Sequence, residues 1–123
     1  MFALLGRVID GTGKDPIEKG IVAIEDNKIV LVARQAEYQI PENVETIDVG
    51  DGTIMPGFID QHTHLGALGD KNTINIFALS EYEKTCQAVH DMGKLVQAGF
   101  TSARECGGFA NYLKAPIAKG LVV

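Results

Sequence analysis

The sequence predicts a mixed α/β fold in two parts, a set of short strands over residues 1–56 and a strand, helix and second strand within 57–123. Three observations carry this expectation. Short β-branched runs punctuated by Asp, Asn and Gly fill the first part. A capped run at helical period covers residues 80–98. Apolar segments beginning at Phe58 and Phe100 flank that run, so the two flanking strands should be parallel and the crossover between them right-handed.

Residues 2–9 are apolar and rich in strand formers, and they run into the turn cluster Asp10, Gly11, Thr12 and Gly13. A polar loop to Gly20 follows. Ile21, Val22, Ala23 and Ile24 make a second strand, and Ile29, Val30, Leu31 and Val32 a third. The short connection between them contains Asp26 and Asn27, which tolerate the left-handed conformations of a tight hairpin. Residues 35–43 are polar, carry Pro41 and read as a loop. Val44, Thr46 and Asp48 alternate with Glu45, Ile47 and Val49 in a half-buried strand, which Gly50, Asp51 and Gly52 turn so that residues 53–55 run back. Together these strands fit part of a small β-sandwich, or an independent β-domain without a catalytic role.

Residues 66–75, with Gly66, Gly69, Asp70 and Asn72, read as a loop. Ser80 and Glu83 form a capping box, and Gly99 stops the helix they start. Leu79, Tyr82, Cys86, Val89, Gly93 and Val96 recur at three and four residues and predict its apolar stripe, with Cys86 as a packing residue. His90 lies beside this stripe, as a surface or boundary residue. Residues 100–105 form the second strand, residues 111–119 a short helix limited by Pro116, and residues 120–123 the start of a third strand.

With 46% hydrophobic and 22% charged residues, the composition excludes wholesale disorder. No stretch of about 18 apolar residues and no leader pattern is present, so a cytoplasmic protein without a membrane partner is expected. A net charge of −5 without a basic stripe argues against nucleic acid as a partner. Cys86 and Cys106 read as free thiols in a reducing compartment.

The chemistry concentrates in residues 54–65, which contain Pro56, Gly57, Phe58, Ile59, Asp60, His62 and His64. In a strand, Phe58, Asp60, His62 and His64 share one face, and the two histidine Cα atoms lie roughly 6.5–7 Å apart. Imidazoles at that separation can tilt toward one metal ion, and they can equally be satisfied by backbone carbonyls. Asp60 is a further candidate on the same face.

This segment resembles the first barrel strand of the metal-dependent amidohydrolase superfamily, P-G-[apolar]-[apolar]-D-x-H-x-H. A second match follows some forty residues on. Ala98, Gly99, Phe100, Thr101, Ser102, Ala103, Arg104, Glu105, Cys106, Gly107 and Gly108 are similar to A-G-[apolar]-T-[ST]-x-R-[DE]-x-G-G, found in members resembling imidazolonepropionases and Xaa-Pro dipeptidases. The resemblance implies a partial β-sandwich over 1–56, then from 57 the first βαβ unit of an incomplete TIM-like (β/α)₈ barrel. A closed barrel needs about 250 residues, more than the 123 present, and the apolar run at residues 120–123 adds to the expectation of a truncated piece.

By the same resemblance His62 and His64 are metal ligands, with zinc as the expected divalent ion, one or two per complete enzyme. Asp60, Arg104 and Glu105 are possible neighbours of the ligands or linings of the site, and Arg104 either contacts substrate or pairs structurally with an acid. The remaining ligands and the general base match nothing here, so no catalytic residue is assigned within this chain. The implied activity is hydrolysis of C–N bonds in a small amide, cyclic amide or dipeptide-like substrate, with the chain inactive alone. A second reading is a short non-catalytic module that uses its strands for interaction. Unpaired strand edges predict self-association in either case.

Overall fold

The computed structural model describes residues 1–66, 78–107 and 109–122, the side chain of Phe109 excepted. The chain divides into two compact units, Met1–Pro56 and Gly57–Val123. The first holds strands β1 (Phe2–Val8), β2 (Ile17–Glu25), β3 (Lys28–Arg34) and β4 (Glu45–Ile54), with a 3₁₀ turn at Gln35–Glu37. The second holds β5 (Phe58–Thr63), helix α1 (Glu81–Gln97), β6 (Phe100–Glu105), a 3₁₀ turn at Phe109–Leu113 and helix α2 (Lys114–Ala118). The mixed α/β class expected from the sequence is the one observed. Among the described residues no helix is long and apolar enough to cross a membrane.

In the first unit the strands form one sheet in the order β3-β2-β1-β4. The hairpin β2–β3 is antiparallel and closes at the pair Glu25 and Lys28. Asp26 and Asn27 both take positive φ, 48° and 61°, the geometry that matches a two-residue turn to the twist of its strands. The buried core of this sheet is Ala3, Val8, Ile21, Val22 and Ala23, and Ile21 is wholly enclosed.

Two expectations for this unit are corrected. Strand β2 begins at Ile17, inside the expected loop, because Val8 pairs with Ile17 across a register shift in β1. Residues 50–52 do not turn the chain back. Strand β4 pairs with β1 in parallel on both sides of them, Leu5 opposite Asp48 and Arg7 opposite Thr53, so residues 49–52 bulge out opposite Gly6. The Asp48 carboxylate accepts the Gly50 N–H at 2.8 Å and closes the bulge locally, without a partner strand.

In the second unit β5 and β6 pair in parallel, as the strand–helix–strand reading requires. The start of β5 is tied to the end of α1, where Phe58 N–H donates to Gly99 O at 2.8 Å and the Phe58 and Phe100 rings lie 5.4 Å apart. Gly57 has to be glycine, because a Cβ there would collide with the Thr101 side chain on β6. Helix α1 carries the expected capping box: Glu83 N–H donates to Ser80 Oγ at 3.2 Å and Ser80 N–H to Glu83 Oε2 at 2.8 Å.

The helix face matches the predicted one only in part, at the half-buried Val89 and Gly93. Tyr82 and Val96 are 85% and 58% exposed, and Cys86 is exposed rather than packed. The side buried instead carries Lys84, Ala88 and Asp91, with Val89, Met92 and Leu95 half-buried against Leu65, Ala110 and Leu113. The reason is a close backbone approach. Gly66 sits so near α1 that an added Cβ would meet Lys84 O at 2.8 Å and the Ala88 methyl at 3.2 Å, so a small residue faces it. His90 is exposed. Residues 120–122 form a turn and irregular chain in place of a third strand, closed by Gly120 N–H on Ile117 O and Leu121 N–H on Pro116 O. Most of the predicted loop 66–75, together with Gly108 and Val123, lies outside the described residues.

Candidate metal centre

Alternation along β5 sorts its last residues into two sets. Thr63 is 3% exposed and faces inward, where its Oγ1 donates to Arg104 O at 3.3 Å and its carbonyl accepts Cys106 N–H at 2.9 Å. His62 and His64, on the opposite parity, turn outward, His62 exposed and His64 half-buried. Their Nε2 atoms converge to 3.1 Å, with ring centroids 5.0 Å apart. The strand ends at Thr63, so His64 reaches this position from just beyond the ladder.

The donor set fits half of a zinc site. Two nitrogens bound at about 2.0–2.1 Å to a tetrahedral ion lie about 3.3 Å apart, close to the separation observed. The same distance suits a hydrogen bond between two neutral rings, one donating and one accepting. Among the described residues no group of three or more His, Cys, Asp and Glu is placed to hold a metal ion.

Asp60 turns its carboxylate to the backbone: Oδ1 accepts His62 N–H at 3.0 Å, at the first histidine. Arg104 is exposed on β6 and makes no ion pair among the described residues; its carbonyl receives the Thr63 hydroxyl. Glu105 bridges two loops, Oε2 accepting Leu65 N–H at 2.9 Å and Oε1 accepting Gly107 N–H at 3.1 Å. Sequence reasoning missed Asp91. This carboxylate is 5% exposed, and it accepts Gly66 N–H at 3.1 Å through Oδ2 and Gln87 Nε2–H at 2.7 Å through Oδ1. Its signal was an acid set among Ala88, Met92 and Leu95 at helical spacing, a placement that demands partners.

A groove of about 310 Å³ in this unit is lined mainly by apolar side chains, among them Met92, Leu95, Phe100, Ala110 and Ile117. Neither histidine lines it, while Leu65 and Glu105 do.

No family model matches the chain. Among curated proteins it is similar to an imidazolonepropionase of Acidiphilium cryptum, 41% identical over 63 residues, covering 51% of this chain and 16% of that protein. Among solved structures it is similar to an amidohydrolase, 32% identical with a TM-score of 0.84, covering 98% of this chain and 29% of that one. A prolidase complexed with N-methylphosphonate-L-proline is 30% identical, with a TM-score of 0.83 over 99% of this chain and 29% of that one. A likeness in fold alone, at 19% identity and a TM-score of 0.75, links 98% of the chain to 32% of an adenosine deaminase from Xanthomonas campestris with bound zinc. The chain thus spans about a sixth of the curated relative's length and about three tenths of these solved chains. Sequence and backbone likeness agree across these comparisons, and the chain belongs to the amidohydrolase superfamily, as an N-terminal portion of such a protein.

Proposed function

We propose that this chain supplies the first-strand half of a metal-dependent hydrolase site for C–N bonds, with His62 and His64 binding a divalent ion, zinc by preference. The observation that carries the reading is the 3.1 Å convergence of the two Nε2 atoms on the outward face of β5. The ion would polarise the scissile carbonyl and lower the pKa of a bound water. What the chain's own residues do is orient that pair: Asp60 fixes the backbone at His62, and the Thr63 side chain and carbonyl lock the opposite face of the strand to β6. Arg104 and Glu105, at the end of β6, are proposed as neighbours of the ligands or linings of the site.

The reading extends to architecture and substrate. Residues 1–56 are proposed to form part of a β-sandwich, and residues 57–123 the opening βαβ unit of a (β/α)₈ barrel. A small cyclic amide or dipeptide-like amide is the proposed substrate class, in line with the imidazolonepropionase and prolidase likenesses. Two imidazoles hold zinc weakly where a catalytic site uses three protein ligands, so the chain alone is proposed to be inactive. Ile29 and Val30, 67% and 53% exposed on edge strand β3, support self-association, as does the open apolar groove of the second unit. A monodisperse monomer in light scattering would overturn that part. The cytoplasm is the proposed compartment.

Cobalt(II) titration, followed by visible absorption, tests the metal reading. One weak site is expected in the native chain, with at least about tenfold weaker binding after His62→Ala or His64→Ala. Cobalt binding that survives the double substitution overturns it. Metal-dependent turnover of an amide by the purified chain would overturn the claim of inactivity.

A further inference from the structure

We propose that Asp91 is a positioning residue for the histidine pair, acting with Glu105 as a two-carboxylate clamp on the peptides that follow His64. The inference rests on the metal reading above and concerns how that ligand is held. His62 lies within β5, in the register shift between Asp60 and Thr63, where the Asp60 carboxylate holds its N–H. His64 lies past the end of the ladder and lacks that support.

Three contacts act on the next two residues instead. The Leu65 side chain is 4% exposed and packs among Ala88, Ala110 and Leu113. The Leu65 N–H is held by Glu105 from the end of β6, and the Gly66 N–H by Asp91 from the middle of α1. Successive amides are thus received by carboxylates on two different elements, and hydrogen bonds to charged acceptors are stronger than neutral ones. Gln87, one turn before Asp91, occupies Oδ1 and leaves Oδ2 aimed at Gly66. A carboxylate this buried carries a desolvation cost, which the two N–H donors offset. Gly66, at φ +84°, lets the chain come close enough to α1 for the bond to form.

The predicted effect on the metal follows from this placement. Groups that orient ligands without touching the ion typically change affinity by 10–100-fold when removed. The test uses the full 123-residue chain. Cobalt(II) affinity and the ligand-field spectrum are measured for the native chain, Asp91→Ala, Asp91→Asn and His62→Ala, with amide exchange at Leu65 and Gly66 read by NMR without metal. In Asp91→Ala, Gly66 exchange should rise about tenfold or more and cobalt affinity fall about 10–100-fold with a shifted spectrum. Asp91→Asn, whose amide oxygen still accepts the Gly66 N–H, should recover most of the affinity and the native band positions. A merely structural carboxylate would not move the spectrum of a folded chain.

Binding that needs His62 but is unchanged in affinity and spectrum by Asp91→Ala overturns the positioning role alone. A chain that binds no cobalt, or whose binding ignores His62→Ala, overturns the metal reading and the role with it. Should Asp91→Ala fail to fold, Gln87→Ala takes its place, since it frees the carboxylate to rotate without deleting it. A several-fold loss of affinity is then expected, and unchanged affinity overturns the proposal.

Discussion

The hairpin β2–β3 and the strand β5 are both short stretches of backbone that must hold an accurate register, and they do it by different means. The hairpin is joined by a two-residue turn, and its pairs run from Glu25 and Lys28 out to Gly20 and Arg34 with a single register shift, between Ala23 and Ile24. Strand β5 has one described partner, β6, and its pairing shifts twice within six residues. Side chains and capped amides therefore take over there: Thr63 on Arg104 O, Glu105 on Leu65 N–H and Asp91 on Gly66 N–H. The contrast teaches that a strand end where the ladder stops depends on long-range polar contacts that a closed hairpin does not need.

Substitutions in the two regions test the contrast. The largest expected effect is in the sheet, where Ile21→Ala empties the most enclosed large side chain and should cost about 2–5 kcal/mol in urea unfolding, with the hairpin turn signals intact by NMR until the sheet melts. Gly66→Ala should cost about 2–3 kcal/mol, read from the far-ultraviolet helix signal, because the new methyl meets Lys84 O and the residue is held at positive φ. A neutral Gly66→Ala would mean that the approach of residue 66 to α1 does not hold the strand end. Asn27→Gly should stabilise the hairpin by about 0.5 kcal/mol, since φ of 61° carries no side-chain penalty in glycine. Destabilisation would show that the Asn27 side chain contributes more than its backbone shape.

The smallest effect concerns the start of α1. Hydrogen bonds from the Ser80 hydroxyl and Ser80 N–H hold the Glu83 carboxyl below its ordinary value of 4.5. A lowered folded value means that the stabilisation is present above about 4.5 and is lost as pH falls through the folded value. The first turn of α1 should fray in that acid window, visible as faster exchange of the Glu83 and Lys84 amides. Glu83→Gln should remove most of the pH dependence. The group is fully exposed, so the change stays local.

Much of this fold was legible because its signals are local. Asp26 and Asn27 declare a turn, Ser80 and Glu83 a helix start, and Phe100 to Glu105 a strand, since each depends on the conformational preferences of a few adjacent residues. The continuation of β4 past Gly50 was not legible, because the glycine-rich residues 50–52 read equally as a reversal and as a bulge until β1 is known to pair on both sides. The helix face was misread in part for a related reason. Hydropathy favoured Tyr82 and Val96, whereas the approach of Gly66 selected Ala88 and the polar Lys84 and Asp91.

By itself the sequence determined the two histidines at i and i+2, the alternation that gives them one face, and the superfamily to which they belong, because residue identity and a period of two suffice for these. Only the tertiary structure decided that the Nε2 atoms meet at 3.1 Å and that Asp91 and Glu105 grip the peptides after His64. Those contacts join residues 25 and 40 positions apart, and no local preference encodes which distant carboxylate will reach a given amide.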